Sequence, residues 1–197
     1  MTDPRRIISH LELIRSQGED YTNVPLTPLL EVFAELRKLI SILGYLFDMA
    51  MSDITTKCDY VRETVHKANI EQATVEMLIV HEKALNTDAK VSAVRKLLPL
   101  IRALEFVAIL LQNLQGSSEL GVAIRDAYWK TISRHHGYMV QGGVVTATYA
   151  APYKAVFFQQ LNLGTAVPSD YCAELSKLLS GLFQGLKTLC IREQCWQ

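Results

Sequence analysis

The sequence predicts an all-α protein. Three observations carry this: apolar residues recur at steps of three and four along most of the chain, strand-type alternation is almost absent, and the breaks between periodic segments are short. The 197 residues suit one domain, 1–197, with a continuous core.

The N-terminal stretch carries Arg5 and Arg6, but Ile7, Ile8, Leu11 and Ile14 are interleaved with polar residues, so no secretory h-region follows the arginines. Thr27-Pro28 reads as an N-cap followed by proline at the first helical position. From there Leu29, Phe33, Leu36, Ile40, Leu43 and Phe47 form one helical stripe. Further helices are predicted at about 52–67, 70–84, 90–114, 118–134 and 136–161. Within the last of these, Val144 to Tyr149 is dense in β-branched residues; lacking a hairpin signal, it is predicted as a buried helix. Pro168-Ser169-Asp170 opens a final helix with Tyr171, Leu175, Leu178, Leu182, Phe183, Leu186 and Leu189 on one broad face. Breaks fall at Gly18 to Pro25, Asn86 to Asp88, Gln115 to Ser118 and Asn162 to Thr165. The count is about eight helices, with no internal repeat.

Composition narrows the function. Lys+Arg and Asp+Glu are both 20, so the chain lacks the basic surplus that draws proteins to phosphate backbones, and no nucleic-acid partner is expected. The most apolar run, Leu97 to Leu114, is interrupted by Pro99, Arg102 and Glu105, so a soluble, cytoplasmic protein is expected. Cys58, Cys172, Cys190 and Cys195 form no CxxC and are expected as free thiols. Yet 49% of the residues are hydrophobic. Either the core is large or some apolar surface lines something else.

Enzyme signatures are missing. There is no HExxH, GxSxG, P-loop or GxGxxG, so no catalytic residue, metal or cofactor is assigned. His81-Glu82 lacks the second histidine of a zinc motif, and adjacent residues such as His135 and His136 point about 100° apart on a helix. Asp53 and Lys57 share a helical face, as do Arg95 and Arg102 two turns apart. Surface ion pairs account for all four. The other reading is a polar cluster at the mouth of an apolar space, suited to a ligand with a polar or anionic head and a greasy body.

Longer motifs decide between these readings. Tyr128-Trp129, His135-His136-Gly137-Tyr138 and Ala150-Ala151-Pro152-Tyr153-Lys154 resemble the HGW and AAPYK signatures of the glycolipid transfer protein superfamily. Leu97 to Phe106 resembles that superfamily's central LLxLxRxLxF helix, and Gly44-Tyr45-Leu46-Phe47 with Asp53 to Lys57 resembles its DxxxN or DxxxK helix. The segments occur in family order over residues 28 to 161.

The resemblance implies a two-layer helical sandwich enclosing the hydrocarbon chains of a sphingolipid. It further implies that Asp53 accepts the ceramide amide N–H and that His136 donates to the amide carbonyl, with His135 at the surface. That division of labour suits a buried amide, whose donor and acceptor both need partners. Lys57 and Arg95 match positions of the ceramide-1-phosphate branch. Pro99 stands where that branch has a second arginine and where glycolipid carriers have a tryptophan, and Arg102 matches both branches. Proline removes a backbone donor and is expected to kink the helix. Tyr138, Tyr153 and Lys154 are expected at a transient membrane contact, where aromatic rings with polar tips are favoured. The expectation is a monomeric carrier of ceramide-1-phosphate or another anionic sphingolipid. The alternatives are a glycosphingolipid carrier, or a sensor or adaptor that binds cargo without efficient transfer.

Overall fold

The computed structural model describes residues 5–18, 21, 23–44, 47–70 and 72–196, and of residues 48–51 the backbone only. Tyr45 and Leu46 of the Gly44 motif lie outside the described residues. The described chain is helical throughout: α1 (Arg5–Ser16), α2 (Leu26–Ser41), α3 (Asp48–Lys67), α4 (Val75–Ala84), α5 (Ala93–Leu114), α6 (Leu120–Lys130), a 3-10 turn (Ser133–His135), α7 (Tyr138–Tyr149), α8 (Lys154–Leu161) and α9 (Pro168–Arg192).

Helix α5 organises the fold by packing against α3, α4, α6 and α9. Contacts of α9 with α1, α1 with α2, and α2 with α3 close a ring of five helices around a shared core. Phe33, Phe157, Phe183 and Tyr128 are among its fully buried side chains. By length and composition α5 could cross a membrane, but 61% of its most apolar stretch is buried inside the protein, as befits a core helix. Its N-terminus is held by the buried Glu82 carboxylate, which accepts from Ala93 N at 2.5 Å and Ser92 Oγ at 2.5 Å; the Ser92 hydroxyl accepts from Arg95 N at 3.0 Å. These bonds occupy donors that the helix itself leaves unpaired and place a negative charge at its positive end. Pro99 sits inside α5 without ending it, on the exposed side of the helix.

Several element boundaries differ from expectation. α1, in a stretch for which no helix is predicted above, is an amphipathic helix burying Ile7, Leu11 and Ile14. α2 starts at Leu26 with Pro25 at its N-cap, so Thr27 is not the cap. The reason is long-range: Leu26 N bonds to Ala73 O and Val75 N to Val24 O, pinning the helix start to the segment before α4. Leu43 and Phe47 are buried as predicted, but beyond the end of α2, after which Gly44 adopts a positive φ of 119°. The segment 136–161 splits into α7 and α8, because Pro152 lacks an N–H and keeps Ala151 from continuing the helix. The buried helix predicted at Val144 to Tyr149 is a helix, but only Ala147 and Thr148 are buried, and Tyr149 is 78% exposed. α7 packs on α6, where Gly121 allows the backbones together: a Cβ there would sit 2.3 Å from Thr148 O.

Candidate functional site

Helix α3 presents Asp53 and Lys57 one turn apart, and Lys57 Nζ contacts Asp53 Oδ1. The Asp53 side chain is 62% exposed while that of Lys57 is only 19% exposed. An ion pair with its carboxylate in water adds little stability and can be reopened by a ligand at small cost. Tyr60 continues the same face of α3. Lys96 of α5 lies over its ring, 5.8 Å from the centroid, and its hydroxyl donates to Val91 O at 2.8 Å.

His136 follows the 3-10 turn in extended conformation, with φ −115° and ψ 137°. Its Nδ1 lies 2.9 Å from the Tyr128 hydroxyl. Tyr128 is buried and its pKa raised by that burial, so the phenol keeps its proton. Placing that proton toward Nδ1 satisfies both groups and leaves Nε2 of a neutral imidazole carrying hydrogen as a free donor. Burial holds His136 below the ordinary histidine pKa, and the nearby Asp53 carboxylate partly opposes it. Gln141 Nε2 fixes the turn by donating to Ser133 O at 2.9 Å and to His136 O at 2.8 Å. The result is a carboxylate acceptor and an imidazole donor within each other's electrostatic reach.

A cationic group stands near the neighbouring His135. Arg102 of α5 is lowered in pKa by burial and then by Arg134, yet a guanidinium stays charged at any ordinary pH. Its Cζ lies 5.3 Å from the centroid of the Trp196 ring. His135 is exposed, as expected, and is held low by burial and by the charges of Arg102 and Arg134.

Other expected residues are placed differently. Arg95 is exposed and lines a cleft of about 310 Å³ with Lys83, Glu193 and Cys195, and Lys57 is not among its walls. A helix turns about 100° per residue, so Arg95 and Lys96 cannot both face α3; Lys96 is the one that does. Tyr138 is 92% and Tyr153 78% exposed, alongside exposed Met139, Tyr149 and Trp129. Lys154 is engaged within the protein: its Nζ donates to Gly116 O and lies 5.7 Å from the Phe158 ring centroid. Lys96 and Arg102 are the two residues the sequence offers to replace the cation missing at Pro99, and Lys96 is the one seen against α3; sequence reasoning missed the roles of Tyr128 and Trp196. Tyr128 stands eight residues before His136 inside a quoted motif, but its partner became visible only in the fold.

Residues 24–163 match the family profile described as Glycolipid transfer protein. The chain belongs to the glycolipid transfer protein family. Its members are lipid transfer proteins, not enzymes. The chain is similar to Glycolipid transfer protein A of Xenopus laevis, at 31% identity over 138 residues, 66% of each chain. It is also similar to a Ceramide-1-phosphate transfer protein of Danio rerio, at 25% identity over 177 residues, 83% of each chain. Human ceramide-1-phosphate transfer protein, solved in complex with 12:0 ceramide-1-phosphate, shares the fold at a TM-score of 0.86 and 17% identity, over 98% of this chain and 97% of that one. The family match contains Asp53, Lys57, Lys96, Arg102 and His136; Trp196 lies beyond it.

Proposed function

We propose that the protein carries a ceramide-based lipid between membranes, with an anionic sphingolipid such as ceramide-1-phosphate as cargo. The observation that carries this reading is the paired arrangement of Asp53 and His136. One exposed carboxylate oxygen set accepts, and one neutral imidazole Nε2–H donates, which is what a secondary amide needs on leaving water. Lys57 pairs with Asp53 itself, Lys96 meets α3 at Tyr60 and Arg102 acts on the neighbouring His135, so cations stand on the elements that carry the pair, and charge-assisted bonds to phosphate are stronger than bonds to neutral hydroxyls.

The mechanism requires no bond making. Exposed Tyr138, Met139, Tyr149 and Tyr153 offer aromatic and apolar surface to a bilayer interface. The acyl chains then pass from lipid into the helical interior rather than into water. About 30 methylene groups at about 0.8 kcal/mol each would cost on the order of 20 kcal/mol to hydrate, and this is the barrier a carrier removes. Apolar side chains of α5, α6 and α8, among them Leu104, Ile124 and Phe157, are buried in one core cluster, so loading requires packed helices to separate.

A glycosphingolipid cargo is the second reading, favoured by the higher identity to Glycolipid transfer protein A than to the Ceramide-1-phosphate transfer protein. Against it, the stacking face for a sugar is missing at Pro99. Vesicle transfer assays with fluorescent ceramide-1-phosphate, galactosylceramide and a glycerophospholipid separate the readings. We expect ceramide-1-phosphate to move fastest; faster galactosylceramide transfer overturns the cargo assignment, and no transfer of any sphingolipid overturns the function.

A further inference from the structure

Helix α9 ends in a reversal that places two thiols together. Gln194 adopts a positive φ of 53°, Gln194 N donates to Ile191 O at 2.9 Å and Cys195 N donates to Cys190 O at 2.9 Å. This is the Schellman arrangement, in which the residue after the left-handed one packs against the residue five positions earlier. That contact is usually between two apolar side chains. Here it is between Cys190 and Cys195, and the Cys195 thiol donates to the Cys190 carbonyl at 3.4 Å. The backbone bond between the two residues holds them in contact, as a disulfide, whose Cα atoms usually stand about 4.4–6.8 Å apart, requires.

The same reversal folds Trp196 back onto the protein. Trp196 N also bonds to Cys190 O at 3.1 Å, the indole packs edge-on against Phe183, and its face covers the Arg102 guanidinium. The turn therefore controls what covers Arg102. Cys195 is half-buried and forms part of the wall of the 310 Å³ cleft, beside Lys83 and Arg95, so small solutes reach it.

We propose that Cys190 and Cys195 are a reversible redox site: a peroxide converts the dithiol to an intramolecular disulfide, which locks Trp196 over Arg102 and slows cargo exchange. The Cys195 thiolate attacks one peroxide oxygen, the O–O bond breaks, and the other oxygen leaves as water or an alcohol after protonation. The Cys190 sulfur then displaces the hydroxyl from the sulfenic acid on Cys195, forming the S–S bond; that hydroxide takes the Cys190 proton and leaves as water. Two thiol sulfurs are oxidised and the peroxide is reduced. Cys195 is held below the ordinary thiol pKa by the Cys190 contact and by Lys83, against the cost of its burial. Burial pushes Cys58 and Cys172 up to about 11, so they are poorer nucleophiles at neutral pH.

The consequence for transfer rests on the carrier reading above, and the test keeps the two apart. The full chain is treated with hydrogen peroxide, mapped by peptide mass spectrometry, and compared with the reduced chain in amide hydrogen exchange and ceramide-1-phosphate transfer. We expect a Cys190–Cys195 linkage, roughly tenfold slower exchange across residues 193–196 from closing so short a ring, and several-fold slower transfer, all reversed by dithiothreitol. Cys195→Ser should transfer lipid at the untreated rate and ignore peroxide. Linkage of other cysteines, or none, overturns the site; linkage without slower exchange and transfer overturns the lock. If the reduced protein moves no sphingolipid, the carrier reading fails, while linkage and exchange still judge the dithiol.

Discussion

Tyr128→Phe tests whether His136 is a prepared donor. The substitution removes one hydroxyl from a residue that is 1% exposed and leaves Nδ1 of His136 without the partner that stood 2.9 Å away. Stranding a buried acceptor costs about 1–3 kcal/mol, and a value near the lower middle, about 1.5 kcal/mol, is expected because no cavity forms. For a chain of this length that corresponds to a fall in Tm of about 3–6 °C. Effects on cargo binding should be smaller. Without the hydroxyl the two neutral tautomers become comparable, so at worst about half of the molecules present Nε2–H, and affinity falls by no more than about twofold. His136→Ala, which removes the donor altogether, should cost about tenfold or more. Thermal melts measure the first effect, nitrogen-15 spectra of the imidazole report the tautomer directly, and a fluorescence titration with ceramide-1-phosphate gives the affinity. The assignment is refuted if Tyr128→Phe melts with the unmodified protein and its His136 spectrum is unchanged.

Three further outcomes follow from the same geometry. Lys96→Ala should slow ceramide-1-phosphate transfer more than Arg95→Leu, because Lys96 meets α3 at Tyr60, three residues on from Lys57, while Arg95 lines the cleft beside Lys83; the reverse order in a vesicle assay would sink the revised head-group site. Gly121→Ala should lower stability by about 1–2 kcal/mol in urea unfolding. The new Cβ would stand 2.3 Å from a backbone oxygen, an overpacking cost of about 1–3 kcal/mol that exceeds the helix-propensity gain of up to about 1 kcal/mol; an equally stable variant would contradict the close approach of α6 and α7. Stability should also fall as pH drops below about 6.5. His135 and His136 are both held below their ordinary pKa by burial, so the unfolded chain binds more protons in that window and is stabilised relative to the folded one. Urea unfolding at pH 7 and pH 5.5 should show the loss, and it should shrink in His136→Gln.

Local patterning made most of the architecture legible. The stripe through Leu97, Leu104 and Leu111 and the face from Tyr171 to Leu189 are helical in any context, because three- and four-residue spacing puts them on one side of a helix. Motif order over residues 28 to 161 pointed to the family that the profile match then identified. Some divergences are local, as where Pro152 divides α7 from α8, and others come from a distant segment: the Ala73 carbonyl sets the start of α2, and packing on α6 gives α7 a half-buried face.

The candidate site divides along the same line. Asp53, Lys57, Arg102 and His136 could be named from their motifs, since those residue types and spacings are local properties of the chain. Which cation of the Arg95-Lys96 pair meets α3 depends on the rotation of α5 about its axis, and a change of one residue in register turns that face by about 100°. The proton arrangement on His136 depends on Tyr128, and the cover over Arg102 depends on a turn far along the chain at Gln194. The sequence by itself determined the helices, the family and the types of polar group available. Tertiary packing alone decided which of those groups face one another, because that choice rests on helix rotation and chain reversal, which no single segment encodes.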